Sequence, residues 1–160
     1  MLKKLFLIPL MTILMLFNSI LSAEAYINSQ EELHNSILKL YELRNFDSLS
    51  LINKNELIGE RLANFNEARF TYNSALEASL HQLLLYEDEL YELYKSEDAN
   101  QQFIDIQVQR IYHDANSVVA NVNNQAGDFL KNIRHIMPTV TYQKFRKKFY
   151  DYYQSVELIK

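Results

Sequence analysis

The chain contains four histidines, which are its candidates for catalysis or metal binding. One of them belongs to a Glu-x-x-His motif. Glu31 and His34 have the i, i+3 spacing that di-iron carboxylate bundles use, because it puts both side chains on one face of a helix. Such a centre needs two copies of the motif and two further glutamates, whereas this chain has one copy. The sequence therefore predicts neither a metal site nor a bound cofactor.

The remaining histidines do not form a catalytic group. His81 and His113 lie at equal distances from the tip of a predicted helical hairpin, but at 100° per residue both point away from the apolar face of their own helix. His135 also lies off the apolar stripe. No nucleophile turn or glycine-lined oxyanion site surrounds a serine. We therefore expect a protein that is not an enzyme.

The scarcity of turn-forming residues restricts the fold that must position these groups. The 160 residues include two Gly, two Pro and no Cys. Hairpin-rich β-folds and phosphate-binding loops depend on Gly and Pro, and thiolate metal sites and disulfides need Cys. With 48% hydrophobic and 22% charged residues, the chain has the composition of a folded globular domain, which must be helical.

The N-terminal segment has the pattern of a secretory signal peptide. Lys3 and Lys4 precede an apolar run over residues 5–17, and Ala23-Glu24-Ala25 offers the small residues that signal peptidase accepts. We expect cleavage after Ala25 and export to the periplasm or the exterior, a choice that the sequence leaves open. The apolar run is too short for a retained anchor. Residues 26–160 then form a single helical-bundle domain.

Apolar residues recur every three or four positions through the mature chain, the period of amphipathic helices. The capping pattern Ser29-x-x-Glu32 opens a first helix that ends near Arg44. A second pattern, Asn53-x-x-Glu56, opens a helix of about 40 residues, roughly 60 Å long. A third helix begins at Asp98-x-x-Gln101 and ends at Pro138. The fourth begins near Thr141.

Short connections make consecutive helices antiparallel. The sequence therefore predicts an all-α antiparallel helical bundle, with two long central helices forming a hairpin plus shorter first and last helices. We expect both short helices at the end remote from the hairpin tip, which leaves a two-helix projection. A bend in the second helix near residues 64–66 or 72–74 would instead fold the projection back into a compact bundle.

Near the hairpin tip, leucines and tyrosines occupy more of the helix circumference than one neighbouring helix can cover. Off-stripe Leu85, Phe103 and Ile106 lie at the same level. Either these residues are core beneath a folded-back element, or they bind a protein partner or a second copy. The predicted contact set is Tyr86, Glu87, Leu90, Tyr91, Glu92 and Tyr94.

Charge divides the chain into an acidic and a basic part. Residues 26–100 contain 14 acidic and 6 basic residues, whereas residues 101–160 contain 5 acidic and 8 basic ones. The basic residues of the fourth helix fall on or beside its solvent face: Lys144, Arg146, Lys147 and Lys148. They either keep the surface hydrated or contact an anionic membrane or an acidic partner. Nucleic acid is not expected for an acidic, exported chain.

These patterns favour an exported, non-enzymatic helical protein that acts through protein–protein interaction, such as an adaptor, chaperone, inhibitor, immunity protein or adhesin. The alternative is a small-ligand or lipid-binding helical bundle of the cell envelope, with the basic fourth helix attracting an anionic head group. The identity of the partner and the oligomeric state are not specified by the sequence.

Overall fold

A computed structural model describes residues 30–53, 56–96 and 100–156. Helices account for 87% of these residues and none of them is in a strand, which confirms the all-α class. The helices are α1 over residues 30–45, α2 over Glu60–Lys95, α3 over Gln101–Ile133 and α4 over Thr139–Ser155, with a short 3₁₀ helix at Ser48–Leu51. The predicted signal peptide and the caps at Ser29 and Asp98 lie outside the described residues.

The two long helices form the predicted antiparallel hairpin. Tyr72 on α2 stacks on Phe129 of α3 with ring centroids 4.9 Å apart, and Glu89 further along α2 pairs with Arg110. α2 is one uninterrupted helix of 36 residues, about 54 Å long at 1.5 Å per residue. Because this helix is continuous, the chain does not reverse direction near residues 64–66 or 72–74.

The second helix begins later than the sequence predicts. Asn53 closes only a single turn, in which its carbonyl accepts from the Glu56 amide at 2.8 Å. The chain then changes direction at Gly59, whose φ of 55° and ψ of −131° suit glycine alone. Leu57 is buried by this turn, and α2 starts at Glu60. The Asn53-x-x-Glu56 pattern therefore forms a turn, and α2 starts after Gly59.

The start of α3 and the turn into α4 are set by local hydrogen bonds. The Asn100 side chain accepts from the Gln102 amide at 3.0 Å and caps α3. At the other end, the Met137 amide donates to the Ile133 carbonyl at 3.2 Å. α3 therefore ends at Ile133, before Pro138, and Pro138 instead precedes the first turn of α4.

The two short helices lie end to end along the hairpin, which corrects the prediction that both join its base. α1 runs antiparallel to α2: His34 is bonded to Glu87 at 2.8 Å and Arg44 to Glu77 at 2.5 Å. Tyr112 of α3 donates to Glu32. The apolar face of α1 is buried over Leu33, Ile37, Leu40 and Leu43. The hairpin near its tip is therefore covered on one side by α1, so the described residues do not form the long two-helix projection that the sequence predicts.

α4 covers the other half of the hairpin. Phe145 packs edge-on against Phe65 with ring centroids 5.8 Å apart, and Phe149 packs against Phe129 at 5.6 Å. α4 meets the end of α1 where Tyr152 stacks on Phe46 at 3.7 Å. We call α1 with residues 77–95 and 100–116 the distal half, and the remaining described residues the proximal half.

Candidate functional site

The predicted contact set divides between core and surface. Leu90 is 2% exposed and belongs to the core, so its side chain is not available to a partner. Tyr86 is half-buried and packs against the same core. Tyr91 is 55% exposed, and Tyr94 and Glu92 are also on the surface. Helical periodicity explains the difference, because Leu90 lies on the inward stripe and Tyr91 lies 100° away from it.

Both charged members of this set, Glu87 and Glu92, already have intramolecular partners. Glu87 is held by His34 of α1. Glu92 pairs with Lys95 at 3.3 Å, and the Lys95 ammonium lies 4.1 Å above the Tyr91 ring. These contacts are at the solvent boundary, where ion pairs contribute little to stability. They orient Tyr91 and Glu87 at the surface rather than hold the fold together.

Three exposed apolar residues extend the surface beyond the predicted set. Phe103 and Ile106 of α3 are 52% and 56% exposed, and Leu85 of α2 is also exposed. Their apolar character at positions off the core stripes is the sequence signal that identifies them, although the predicted contact set does not include them. We define the tip surface as the five exposed apolar residues near the hairpin tip, namely Leu85, Tyr91, Tyr94, Phe103 and Ile106.

The core beneath the tip surface does not depend on these residues. Leu83 and Leu90 of α2 and Ile104 and Ile111 of α3 are all buried. Arg110 joins the two helices by pairing with Glu89 of α2 and with Asp114 one turn along α3. The distal half therefore has a filled interior, and its exposed apolar side chains are additional to that interior.

The basic residues of α4 are on the surface, as the helical pattern predicts. Lys144, Arg146, Lys147 and Lys148 are all exposed. None of the four forms an ion pair with any residue that the structure describes, and the Arg146 guanidinium lies 5.5 Å from the Tyr150 ring. A shallow depression of about 350 Å³ on this face is lined by Gln143, Arg146, Lys147, Tyr150 and Asp151.

The histidines are dispersed over the surface. His81, His113 and His135 are exposed, and His34 is bonded to Glu87. Within the described ranges, no three acidic or histidine side chains are grouped so as to hold a metal ion. Glu31 of the Glu-x-x-His motif is also exposed, whereas a di-iron site would require it to face a core.

Four tyrosines among the described residues have pKa values raised above the ordinary value of 10.0. Burial raises the pKa of Tyr153 to about 12. Burial also raises the pKa of Tyr72, and the nearby Tyr153 adds to that rise. The hydrogen bond to Glu32 raises the pKa of Tyr112, and burial raises that of Tyr152. Each shift makes the phenol a weaker acid, which is the opposite of what a general acid or base at neutral pH requires.

A cleft with a mainly apolar lining lies in the connector between α1 and α2. It has a volume of about 470 Å³ and is lined by Leu49, Ile52, Leu57 and Leu62 together with Asp47, Ser50 and Asn53. Asp47 accepts from Arg69 at 2.9 Å and from the Leu49 amide at 3.1 Å. The Asp47 carboxylate at the rim is thus engaged within the chain.

No helix in the described part of the chain is both long and apolar enough to cross a bilayer. Comparison of the chain with protein-family models, with curated proteins and with solved structures finds no match.

Proposed function

We propose that this chain is an exported, non-enzymatic helical protein that acts by binding another protein through the tip surface. One observation carries the proposal: the five apolar side chains of the tip surface are exposed around a distal core that is already filled. Exposed apolar clusters bordered by polar residues are characteristic of protein contact sites. A partner that covers these side chains would remove their apolar surface from water, and this burial would favour binding.

The chemistry of the tip surface suits a protein partner. Tyr91 and Tyr94 present large aromatic areas with a polar hydroxyl, a combination that is enriched in interfaces and their hot spots. Phe103 and Ile106 add apolar area on the neighbouring helix. Carboxylates of Asp88 and Glu92 border the cluster and would disfavour acidic partners, which gives selectivity as well as solubility.

Export is a second part of the proposal, carried by the Lys3–Lys4 start, the apolar run and Ala23-Glu24-Ala25. Mass spectrometry of the chain purified from an expressing bacterium would show an N-terminus at Tyr26. An intact N-terminus in the cytoplasmic fraction would contradict export without affecting the tip surface.

The test of binding compares two surface substitutions with a matched control. Ile106→Asp and Tyr91→Asp place a charge in the tip surface, whereas Phe70→Asp does so at a 74% exposed position of α2 in the proximal half. In the native envelope fraction, we expect peptides of residues 85–106 of the parent chain to form cross-links to a partner protein. Ile106→Asp and Tyr91→Asp should lose these cross-links, and Phe70→Asp should keep them. All three should melt within a few degrees of the parent. Equal cross-linking in tip and control variants would refute the proposal.

The second candidate function is binding of a small apolar ligand in the connector cleft. The volume and apolar lining of that cleft favour it. Native mass spectrometry of the purified chain would show a bound mass that is lost when Leu49→Trp fills the cleft, and that is unaffected by Ile106→Asp.

A further inference from the structure

The fold separates the charges of this chain along its long axis. The distal half contains ten Asp and Glu residues and four Lys and Arg residues, whereas the proximal half contains six acidic and eight basic residues. Asp88 lies about 35 Å along the hairpin from the level of Phe65, where α4 packs, at 1.5 Å per residue. That separation exceeds the Debye length of about 10 Å at 0.1 M salt. The two charged regions therefore cannot neutralise each other within one molecule.

Both regions contain charges that form no ion pair with any residue in the described part of the chain. Glu31 and Asp88 are exposed in the distal half and form no ion pair with a described residue; the same is true of Lys144 and Lys147 on α4. Such charges remain available for a contact between molecules without the cost of breaking an existing pair.

Exposed apolar residues accompany the unpaired charges in both regions. The outer face of α4 presents Val140 and Tyr150 beside Lys144 and Lys147, and helical periodicity puts all four within about 120° of arc. The depression between Arg146, Lys147 and Tyr150 has room for a protruding side chain. The tip surface supplies protruding aromatic and aliphatic side chains with acidic neighbours. The two surfaces are thus complementary in charge and both partly apolar.

We propose that the partner of the tip surface is a second copy of this chain, bound through the outer face of its α4. The inference rests on the proposed function and names its partner. Because the two surfaces differ, the contact is heterologous: a pair of copies keeps one unused tip and one unused α4 face, and repetition gives a ring or an open chain of molecules. Asp151 within the α4 face weakens the attraction, and screening of the opposite charges weakens the contact further at high salt.

The experiment uses charge reversal and mixing. Variant one carries Glu31→Lys and Asp88→Lys, variant two carries Lys144→Glu and Lys147→Glu, and a control carries the exposed substitutions Asp128→Lys and Arg134→Glu outside both surfaces. Sedimentation equilibrium of the full chain, as processed and purified from the expressing cell, is measured at about 0.05 and 1 M salt.

We expect the parent and the control to associate at low salt, with each variant raising the dissociation constant at least tenfold. A mixture of the two variants should recover association, because the reversed tip of one faces the reversed α4 of the other. Loss in variant one with no effect in variant two would overturn the inference in favour of tip-to-tip pairing. A parent that stays monomeric at low salt would also overturn it, while the cross-linking difference between Ile106→Asp and Phe70→Asp would still decide the proposed function.

Discussion

The proximal and distal halves of the hairpin use the same two helices but differ in core and in surface. The proximal core is aromatic, with the rings of Phe65, Tyr72, Phe129, Phe145 and Phe149 between 4.9 and 6.2 Å apart. The distal core is aliphatic and is closed by α1 instead of α4. The aromatic core therefore lies in one half of the molecule and the proposed binding surface in the other.

The surfaces differ in how their apolar residues are grouped. Exposed apolar residues in the proximal half are dispersed over the connector, α2 and α4, at Ile58, Phe70, Val140 and Tyr150. The distal half exposes Leu38 and Tyr41 on α1 as well as the tip surface, whose five residues lie within about three turns of the hairpin tip on α2 and α3. Single exposed apolar side chains are ordinary on any protein, whereas a concentrated group indicates a contact site.

The strongest test of this difference is to truncate the same residue type in each half of α3. Phe129 contacts four other rings of the proximal core, so Phe129→Ala should lower the free energy of unfolding by about 3–5 kcal/mol. Phe103→Ala at the tip surface should lower it by less than about 0.5 kcal/mol. Urea unfolding measures both. Similar losses would mean that Phe103 is part of the core.

A second comparison uses the two glycines, which share the proximal half but not a conformation. Gly59→Ala should cost about 1–3 kcal/mol, because φ of 55° with ψ of −131° is strained for any residue with a Cβ. Gly127 lies inside α3 with nothing within 4 Å of an added Cβ, so Gly127→Ala should stabilise by about 0.5–1 kcal/mol. Changes of the same sign at both positions, measured by urea unfolding, would contradict this assignment.

A third comparison concerns buried tyrosines, which occur in the proximal half. The Tyr72 hydroxyl is buried and has no hydrogen-bond partner among the described residues, whereas Tyr153 donates to Asn123 at 2.6 Å. Tyr72→Phe should therefore raise the free energy of unfolding by up to about 1 kcal/mol, and Tyr153→Phe should lower it by about the same amount. Chemical unfolding at pH 7 compares the two, and destabilisation by both would show that Tyr72 has a partner in solution.

The same tyrosines make the proximal half sensitive to alkali. Their pKa values are raised in the folded state, to about 12 for Tyr153, above the ordinary value of 10.0. The unfolded chain then loses protons first, so this contribution to stability is complete below pH 10 and is lost as the pH rises through 12. Tyr72→Phe should reduce the slope of stability against pH in this window, and an unchanged slope would contradict burial of its hydroxyl.

The smallest effect is expected where α1 is held near the tip. His34→Ala removes the contact with Glu87, an exposed ion pair, and should cost less than about 1 kcal/mol. His113→Ala, at an exposed position whose side chain has no described partner, should change nothing measurable. A loss above 2 kcal/mol for His34→Ala would show that this contact, rather than the apolar face of α1, holds the helix in place.

Much of the fold could be predicted from local pattern. The spacing of Ile104, Val108, Ile111 and their successors on α3 correctly identified the buried face, since a helix presents every third or fourth residue to one side. The Asn53-x-x-Glu56 pattern predicted the start of α2 too early. The chain instead forms a turn at Asn53, buries Leu57 and begins α2 after Gly59. The same helical periodicity correctly predicted that Lys144, Arg146, Lys147 and Lys148 of α4 are exposed.

Composition and the periodicity within each helix are enough to specify the helical class, the hairpin and the separation of acidic from basic residues. The position of α1, and with it the covering of the tip leucines and tyrosines, depends on how the whole chain packs. Periodicity orients a side chain relative to its own helix, but burial depends on which neighbouring element arrives there. Leu90 and Tyr91 differ in exposure because they lie on different faces of α2, whereas α1 covers the hairpin only because distant parts of the chain pack together.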